Sequence, residues 1–467
     1  MAFNSWVYLI FLPTVLLLYW LLPHRGRGYL LLVASAVFYG WWDARFLVLI
    51  AISISIDYVV GRKLGALETG VPARNRWVAL SVCANLGILG VFKYFDFFSD
   101  SVVRLMSAIG MEADPLLLKV ILPVGISFYT FQSMAYTIDV YYGKLKPVTD
   151  LLVFANYVSF FPQLVAGPIE RAGHLVPQLQ EPRRRRDCDI RDALYLILWG
   201  LYKKVVVADN LARIAATCLD AENPTAGGVA VGVLAFAFQI YGDFSAYTDI
   251  ARGSAMLLGI KLCENFKLPY FAVSPSDFWT RWHVSLSSWL RDYLYIPLGG
   301  SRGGTYRTYR NLSLTMLLGG LWHGAAWNFV AWGAYHGMLL VGYRLVFGPA
   351  GRPACKTAPS KFVWMLVMFL FTLGGWAIFR ATSMTQLIGF GQALAGFDWQ
   401  VPAFALRDTL FLISGVLIMM ILQARSGNMM VVFRSSVLVR VPVAILLLGS
   451  LVLFGATGGV EFIYFQF

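Results

Sequence analysis

Long apolar runs separated by short basic loops decide what this chain can fold into. Residues 1–23 carry no charged side chain, and residues 311–343 contain no Asp, Glu, Lys or Arg. About 20 consecutive apolar residues, wound as a helix, cross the ~30 Å hydrocarbon core of a bilayer. Such runs recur along the whole sequence. Only 13% of the residues are charged, against about 25% in soluble domains. A transmembrane barrel would instead show alternating segments of about ten residues. The expected fold is an all-α polytopic membrane protein in one integral membrane domain over residues 1–467, with about 11–12 transmembrane helices. No internal repeat and no low-complexity linker divides it.

Charge then orients the runs. Lys and Arg gather in cytoplasmic loops. His24, Arg25 and Arg27 follow the first run, Arg62, Lys63, Arg74 and Arg76 follow the third, and Lys144 and Lys146 follow the fifth. An acidic loop with Asp100, Glu112 and Asp114 lies between, and Asp220 and Glu222 mark another, both suited to the outside. Later loops carry Arg352, Lys356, Lys361 and Arg425. The first run lacks a basic leader and an A-x-A cleavage site, so it reads as a retained span.

Residues 151–169 break the pattern. They are apolar enough to cross, but crossing would put Arg183 to Arg186 outside, and Pro162, Gly167 and Pro168 interrupt a helix. A re-entrant or interfacial segment is expected, with protein or a cavity around its irregular backbone. Residues 252–310 hold eight Lys and Arg against three Asp and Glu and are studded with Trp279, Trp282 and Trp289. This segment reads as cytoplasmic, interfacial or partly inserted. Residues 311–343 exceed one span, and Gly319–Gly320 predicts a break between two helices.

The net charge of +13 fits this topology signal and lacks any nucleic-acid-binding motif. Five scattered cysteines without a CxxC pair predict neither a disulfide framework nor a metal site. No HExxH spacing occurs and no cysteine lies near the central histidines, so no metal is expected.

Three of the five histidines, His283, His323 and His336, fall between residues 277 and 338. Ionisable side chains in apolar membrane segments are costly and usually functional. A neutral imidazole at His323, inside GGLWHGAAW, suits a general base. His283, in RWHVSLSSWLRD, is the second candidate. His336 is expected to be structural. Arg281, Trp282, Asp292, Trp322 and Asp243 are the candidate substrate contacts. Two readings stay open for the aspartates of YGDFSAYTDIARG, Asp243 and Asp249: they orient a histidine, or they belong to an intramembrane ion-pair network. Lys203 and Lys204 either snorkel from a tilted span or meet an anionic ligand.

The stretches RWHVSLSSWLRDYLYIPLGG and LLGGLWHGAAWNFVAWGAYHG, with ILPVGISFYTFQSMAYTIDVY, FPQLVAGPIER and YGDFSAYTDIARG, occur in the order seen in one known family. The chain resembles the membrane-bound O-acyltransferase family, most closely its bacterial branch that acetylates exopolysaccharides. The resemblance runs from the N-terminus to about Phe379. It implies a helical fold around a funnel or channel, with His323 as the intramembrane catalytic histidine and His283 at a second site position that is often Asn. It also implies an acyl-CoA or acyl-carrier-protein thioester as donor, a hydroxyl acceptor, no bound cofactor and a bacterial inner-membrane location. A periplasmic or membrane-tethered acetyltransferase partner is expected to finish modification of the polymer. The polymer stays open between alginate and a cellulose-like glucan; the chain ends at Phe467 without an extended tail, which keeps the second in view. A D-alanine or other acyl exporter of the same family, and a lipid-linked sugar transporter or flippase, are the alternatives.

Overall fold

Helices, and no strand, make up the described part of the protein. The computed structural model describes residues 1–68, 70–111, 114–348, 357–456 and 462–463. Glu112, Arg352, Cys355 and Lys356 of the sequence reading lie outside that set. Six helices among the described residues are long and apolar enough to cross a membrane: His24–Ala66, Pro72–Ala108, Ala226–Leu257, Ala358–Arg380, Ala403–Ser426 and Val437–Phe454. This is a multi-pass, all-α membrane protein. Several other expected spans are shorter or interrupted. The run over 191–215 passes from Ile190–Leu201 through a π-helical stretch, Tyr202–Ala208, into Asp209–Leu219.

Internal contacts divide the chain into two compact units: residues 1–189 with 254–263, and residues 190–253 with 264–467. In the first unit, helices α1 (Leu47–Ala66), α2 (Pro72–Leu89) and α3 (Ile126–Tyr141) meet around the buried Asp57. Its carboxylate accepts from Asn85 Nδ2 at 2.9 Å, Thr137 Oγ1 at 3.0 Å and the hydroxyls of Ser81 and Ser133. A buried carboxylate is tolerable only when its lone pairs are filled this way. Arg74, read above as a topology signal, is also buried. Its guanidinium donates to Leu64 O and Leu67 O at the end of α1 and to Val140 O and Tyr141 O at the end of α3. One cation thus satisfies carbonyls that two helix ends leave unpaired and complements both macrodipoles.

The segment over 151–169 forms the helix Leu151–Ser159 followed by buried turns. Its irregular backbone is bonded by protein groups: Ser35 Oγ accepts from Phe161 N at 3.0 Å, and Gln163 Nε2 donates to Tyr157 O at 3.0 Å. Leu152, Val153 and Asn156 also line a cavity of about 340 Å³ that includes His24, Arg25 and Arg27.

In the second unit, helices α4 (Ala226–Leu257, up to residue 253), α5 (Pro275–Arg281), α6 (Val284–Leu290), α7 (Thr305–His323), α8 (Trp327–Phe347) and α9 (Ala358–Arg380) position the central histidines. The predicted break at Gly319–Gly320 does not occur. α7 runs through both glycines, and the chain turns at residues 324–326. The glycines serve packing instead. A Cβ on Gly320 would lie 2.2 Å from Phe329 O, and one on Gly333 would lie 2.4 Å from Met316 O. Small residues let two membrane helices approach this closely.

Trp282 and His283 are fully buried inside this unit. Lys203 and Lys204 are paired with carboxylates inside this unit. Lys203 Nζ lies 2.8 Å from Asp249 and 2.7 Å from Ser245 Oγ, and Lys204 Nζ lies 2.8 Å from Asp209 and 2.9 Å from Asp243. Buried ammonium groups need such partners because removing one leaves an uncompensated charge.

Candidate active site

The approach to His283 is built by a short helix that stops. Ser274 Oγ caps α5 by accepting from Asp277 N at 3.1 Å, and Pro275 occupies the first turn, where its missing N–H costs nothing. α5 ends at Arg281, Trp282 is extended, and His283 takes a left-handed conformation with φ +44° and ψ +55° before α6 begins. Two backbone bonds hold the turn against residues 265–267: Lys267 N to Arg281 O and Val284 N to Asn265 O, both 2.9 Å. Asn265 Oδ1 faces His283 Nδ1 at 3.2 Å and accepts from Ser285 N at 3.1 Å and Ser285 Oγ at 3.0 Å.

His323 arrives differently, as the last residue of α7, followed by an extended Gly324. Its ring centroid lies 6.5 Å from that of His283, with the planes at 67°. His283 is 0% and His323 4% exposed. Aromatic rings enclose the pair. Phe244 packs on His283 at 4.7 Å, and Trp322 lies 5.8 Å from His283 and 5.0 Å from His323. Trp332 and Phe379 pack edge-on to His323 at 4.9 and 5.6 Å. The two histidines thus lie side by side, although forty residues separate them in sequence.

The other candidates divide. Trp322 touches both imidazoles. Trp282 sits in the next layer, 4.7 Å from Trp376 and 5.0 Å from Phe266. Arg281 pairs with Asp277 at 2.7 Å and Asp292 with Arg291 at 2.8 Å, both partly exposed. Asp243 is bound to Lys204, and its second oxygen accepts from Ile463 N at 2.8 Å. Of the two readings left open for this residue, the ion-pair network is the one the contacts describe. His336 is buried between Trp332 at 4.7 Å and Trp279 at 5.1 Å. Trp332 thus stands between His323 and His336.

A cavity of about 680 Å³ begins two residues beyond His323. Ala325, Ala326, Asn328 and Phe329 form one side, with Arg213, Phe236, Gln239, Arg380 and Ile463 opposite; no carboxylate is among its walls in the described residues. Neither imidazole lines it directly. Gln239 Oε1 is buried without a hydrogen-bond partner among the described residues. Asn328 Nδ2 donates to Ala381 O at 2.8 Å. A second, narrow cavity of about 40 Å³ touches Asn265 and is lined by Lys203, Asp249, Arg252 and Glu264. Asn265 and Trp332 escaped the sequence reading. Asn265 lies in CENFKLPY, between Glu264 and Phe266, where a single amide gives no periodic or spacing signal.

The sequence profile of the membrane-bound O-acyltransferase family matches residues 147–385, more than half of the chain. The chain belongs to this family. The O-acyltransferase match covers the stretch that carries both histidines. A probable alginate O-acetylase of Pseudomonas aeruginosa is 43% identical over 403 residues, covering 86% of this chain and 76% of that protein. The peptidoglycan O-acetyltransferase of Helicobacter pylori is 36% identical over 431 residues, 85% of this chain and 80% of its own. A teichoic acid D-alanyltransferase of Bacillus subtilis is 28% identical over 273 residues, 55% and 68% respectively. The protein is therefore a membrane acyltransferase. Arg281 and Asp292 lie in partly exposed ion pairs, away from the buried aromatic cage around the two imidazoles.

Proposed function

We propose that the protein takes an acetyl group from a cytoplasmic thioester, acyl-CoA or an acyl carrier protein, and passes it across the bacterial inner membrane for O-acetylation of an exopolysaccharide. It acts as one membrane module over residues 1–467, and a periplasmic or membrane-tethered partner completes transfer to the polymer. The observation that carries this reading is the pair of buried imidazoles 6.5 Å apart, in a chain whose relatives include O-acetylating enzymes.

In this reading His323 takes the proton of the acceptor hydroxyl as its oxygen attacks the thioester carbonyl. The tetrahedral intermediate collapses, the carbon–sulfur bond breaks, and the proton on His323 passes to the leaving thiolate. His283 either orients the acceptor or stabilises developing charge. The aromatic cage excludes water, which would otherwise hydrolyse the thioester. The basic segment over 252–310 suits the phosphates of CoA or an acidic carrier surface.

The polymer assignment favours an alginate-like chain, because the alginate O-acetylase relatives cover most of the sequence. A D-alanyl group is the second reading, supported by the teichoic acid relatives. The deciding experiment replaces His323 by Ala and measures polymer acetyl content at matched protein level in the membrane. Loss of acetyl groups with normal polymer export is expected. Unchanged acetylation overturns the reading, and release of D-alanine from the product favours the second one.

A further inference from the structure

We propose that Asn265 is a positioning residue that fixes which ring nitrogen of His283 carries the proton. A backbone N–H can only donate, and Ser285 N donates to Asn265 Oδ1 at 3.1 Å. That bond settles which way round the amide lies, a choice otherwise ambiguous for asparagine. The atom 3.2 Å from His283 Nδ1 is therefore the amide oxygen. An amide oxygen only accepts, so Nδ1 carries the hydrogen and, in the neutral ring, Nε2 carries the lone pair. Ser285 Oγ, at 3.0 Å, adds a third donor to the same oxygen.

The backbone gives an independent reason. His283 is one of only four non-glycine residues with positive φ among the described residues. Sparsely populated conformations of this kind persist where the surroundings over-determine them, and they cluster at functional sites. Here the carbonyl of Asn265 accepts from Val284 N at 2.9 Å, one residue beyond the strained position. Asn265 thus grips the ring with its side chain and the turn with its main chain. Both grips would be unnecessary for a histidine that merely fills space.

The assignment decides between the two roles left for His283. A lone pair at Nε2 accepts a hydrogen bond and cannot donate one. The neutral ring therefore orients a hydrogen-bond donor of the substrate, such as a hydroxyl neighbouring the reacting one. It does not supply a donor to the oxyanion. Proton removal from the attacking hydroxyl is left to His323.

This inference rests on the reading that His283 acts on the substrate, and the experiment separates the two. Acetyl transfer is measured in membranes holding the full chain, with acetyl-CoA and an acetylated carrier protein as donor probes. Asn265→Leu keeps the branched shape and removes the acceptor. It should lower kcat by about 100-fold while the KM of the donor changes by less than about threefold. Asn265→Asp offers a carboxylate oxygen to the same three donors and should recover kcat to within about tenfold of the parent. A Leu variant with unchanged kcat, or an Asp variant as impaired as the Leu variant, overturns the positioning role. If the Leu variant does not accumulate, the Asp variant decides alone, because loss of its activity by about 100-fold overturns the proposal. His283→Ala with full activity overturns the underlying reading. His283→Ala without activity beside a fully active Asn265→Leu overturns only the role of Asn265.

Discussion

Gln239 shows how single residues divide structural from functional chemistry in this protein. Most buried polar side chains here have partners: Asp57 has four donors, and each buried lysine has a carboxylate. The amide oxygen of Gln239 has none among the described residues, yet it borders the large cavity beside His323. An unpaired buried acceptor costs about 1–3 kcal/mol unless a ligand satisfies it. Gln239→Leu should therefore leave protein level and kcat close to the parent and raise the apparent KM for the acceptor about tenfold. A steady-state titration of acceptor checks this, and an unchanged KM would remove Gln239 from the acceptor path. His323 and His283 were legible in the sequence because an imidazole stands out in apolar surroundings. Asn265 was not, because its importance lies in three donors that reach it from residues 283 and 285 across a tight turn.

At the scale of elements, glycine changes meaning with context. Gly319–Gly320 suggested a break because glycine weakens an isolated helix by about 1 kcal/mol. In a packed bilayer helix the intrahelical bonds are retained, and the missing Cβ allows close approach. Gly333 meets Met316 O across the contact of α7 with α8. Gly333→Ala should force these helices apart and destabilise the protein by about 1–3 kcal/mol, seen as a lower melting temperature in detergent. Because His323 ends α7, transfer activity should fall with it. A second element-level tie lies in the first unit. Glu170 accepts from His174 Nδ1 at 2.7 Å and from Cys263 N at 2.5 Å, joining the helix Ala172–Gln180 to residues 260–263. The hydrogen bond to Glu170 raises the His174 pKa above its usual 6.5, outweighing partial burial. A group raised on folding stabilises most below its unfolded pKa. The His174 contribution is thus full below about pH 6.5 and fades as pH rises through the raised value. The melting-temperature gap between the parent and His174→Ala should be largest near pH 5.5 and shrink by pH 8.5; a gap independent of pH would contradict the linkage.

For the whole molecule, the positive-inside pattern of the sequence predicts an orientation with 62–76 and 183–186 inside and 218–226 outside. In a cysteine-free background, Glu222→Cys should react with a membrane-impermeant maleimide applied to spheroplasts, and Arg184→Cys should react only after lysis. The reverse pattern would overturn the orientation and the assignment of a cytoplasmic donor. The all-α membrane class and the presence of imidazoles in apolar surroundings followed from the sequence alone. They rest on properties that are local along the chain: runs of apolar side chains, basic loops, and ionisable residues in apolar surroundings. The location of the turn after α7, the ion pairs of Lys203 and Lys204, the burial of Trp282 and the grip of Asn265 on His283 were decided by tertiary structure. Each depends on which groups meet across helices distant in sequence, and a hydrogen bond or a close glycine contact leaves no trace in residue order.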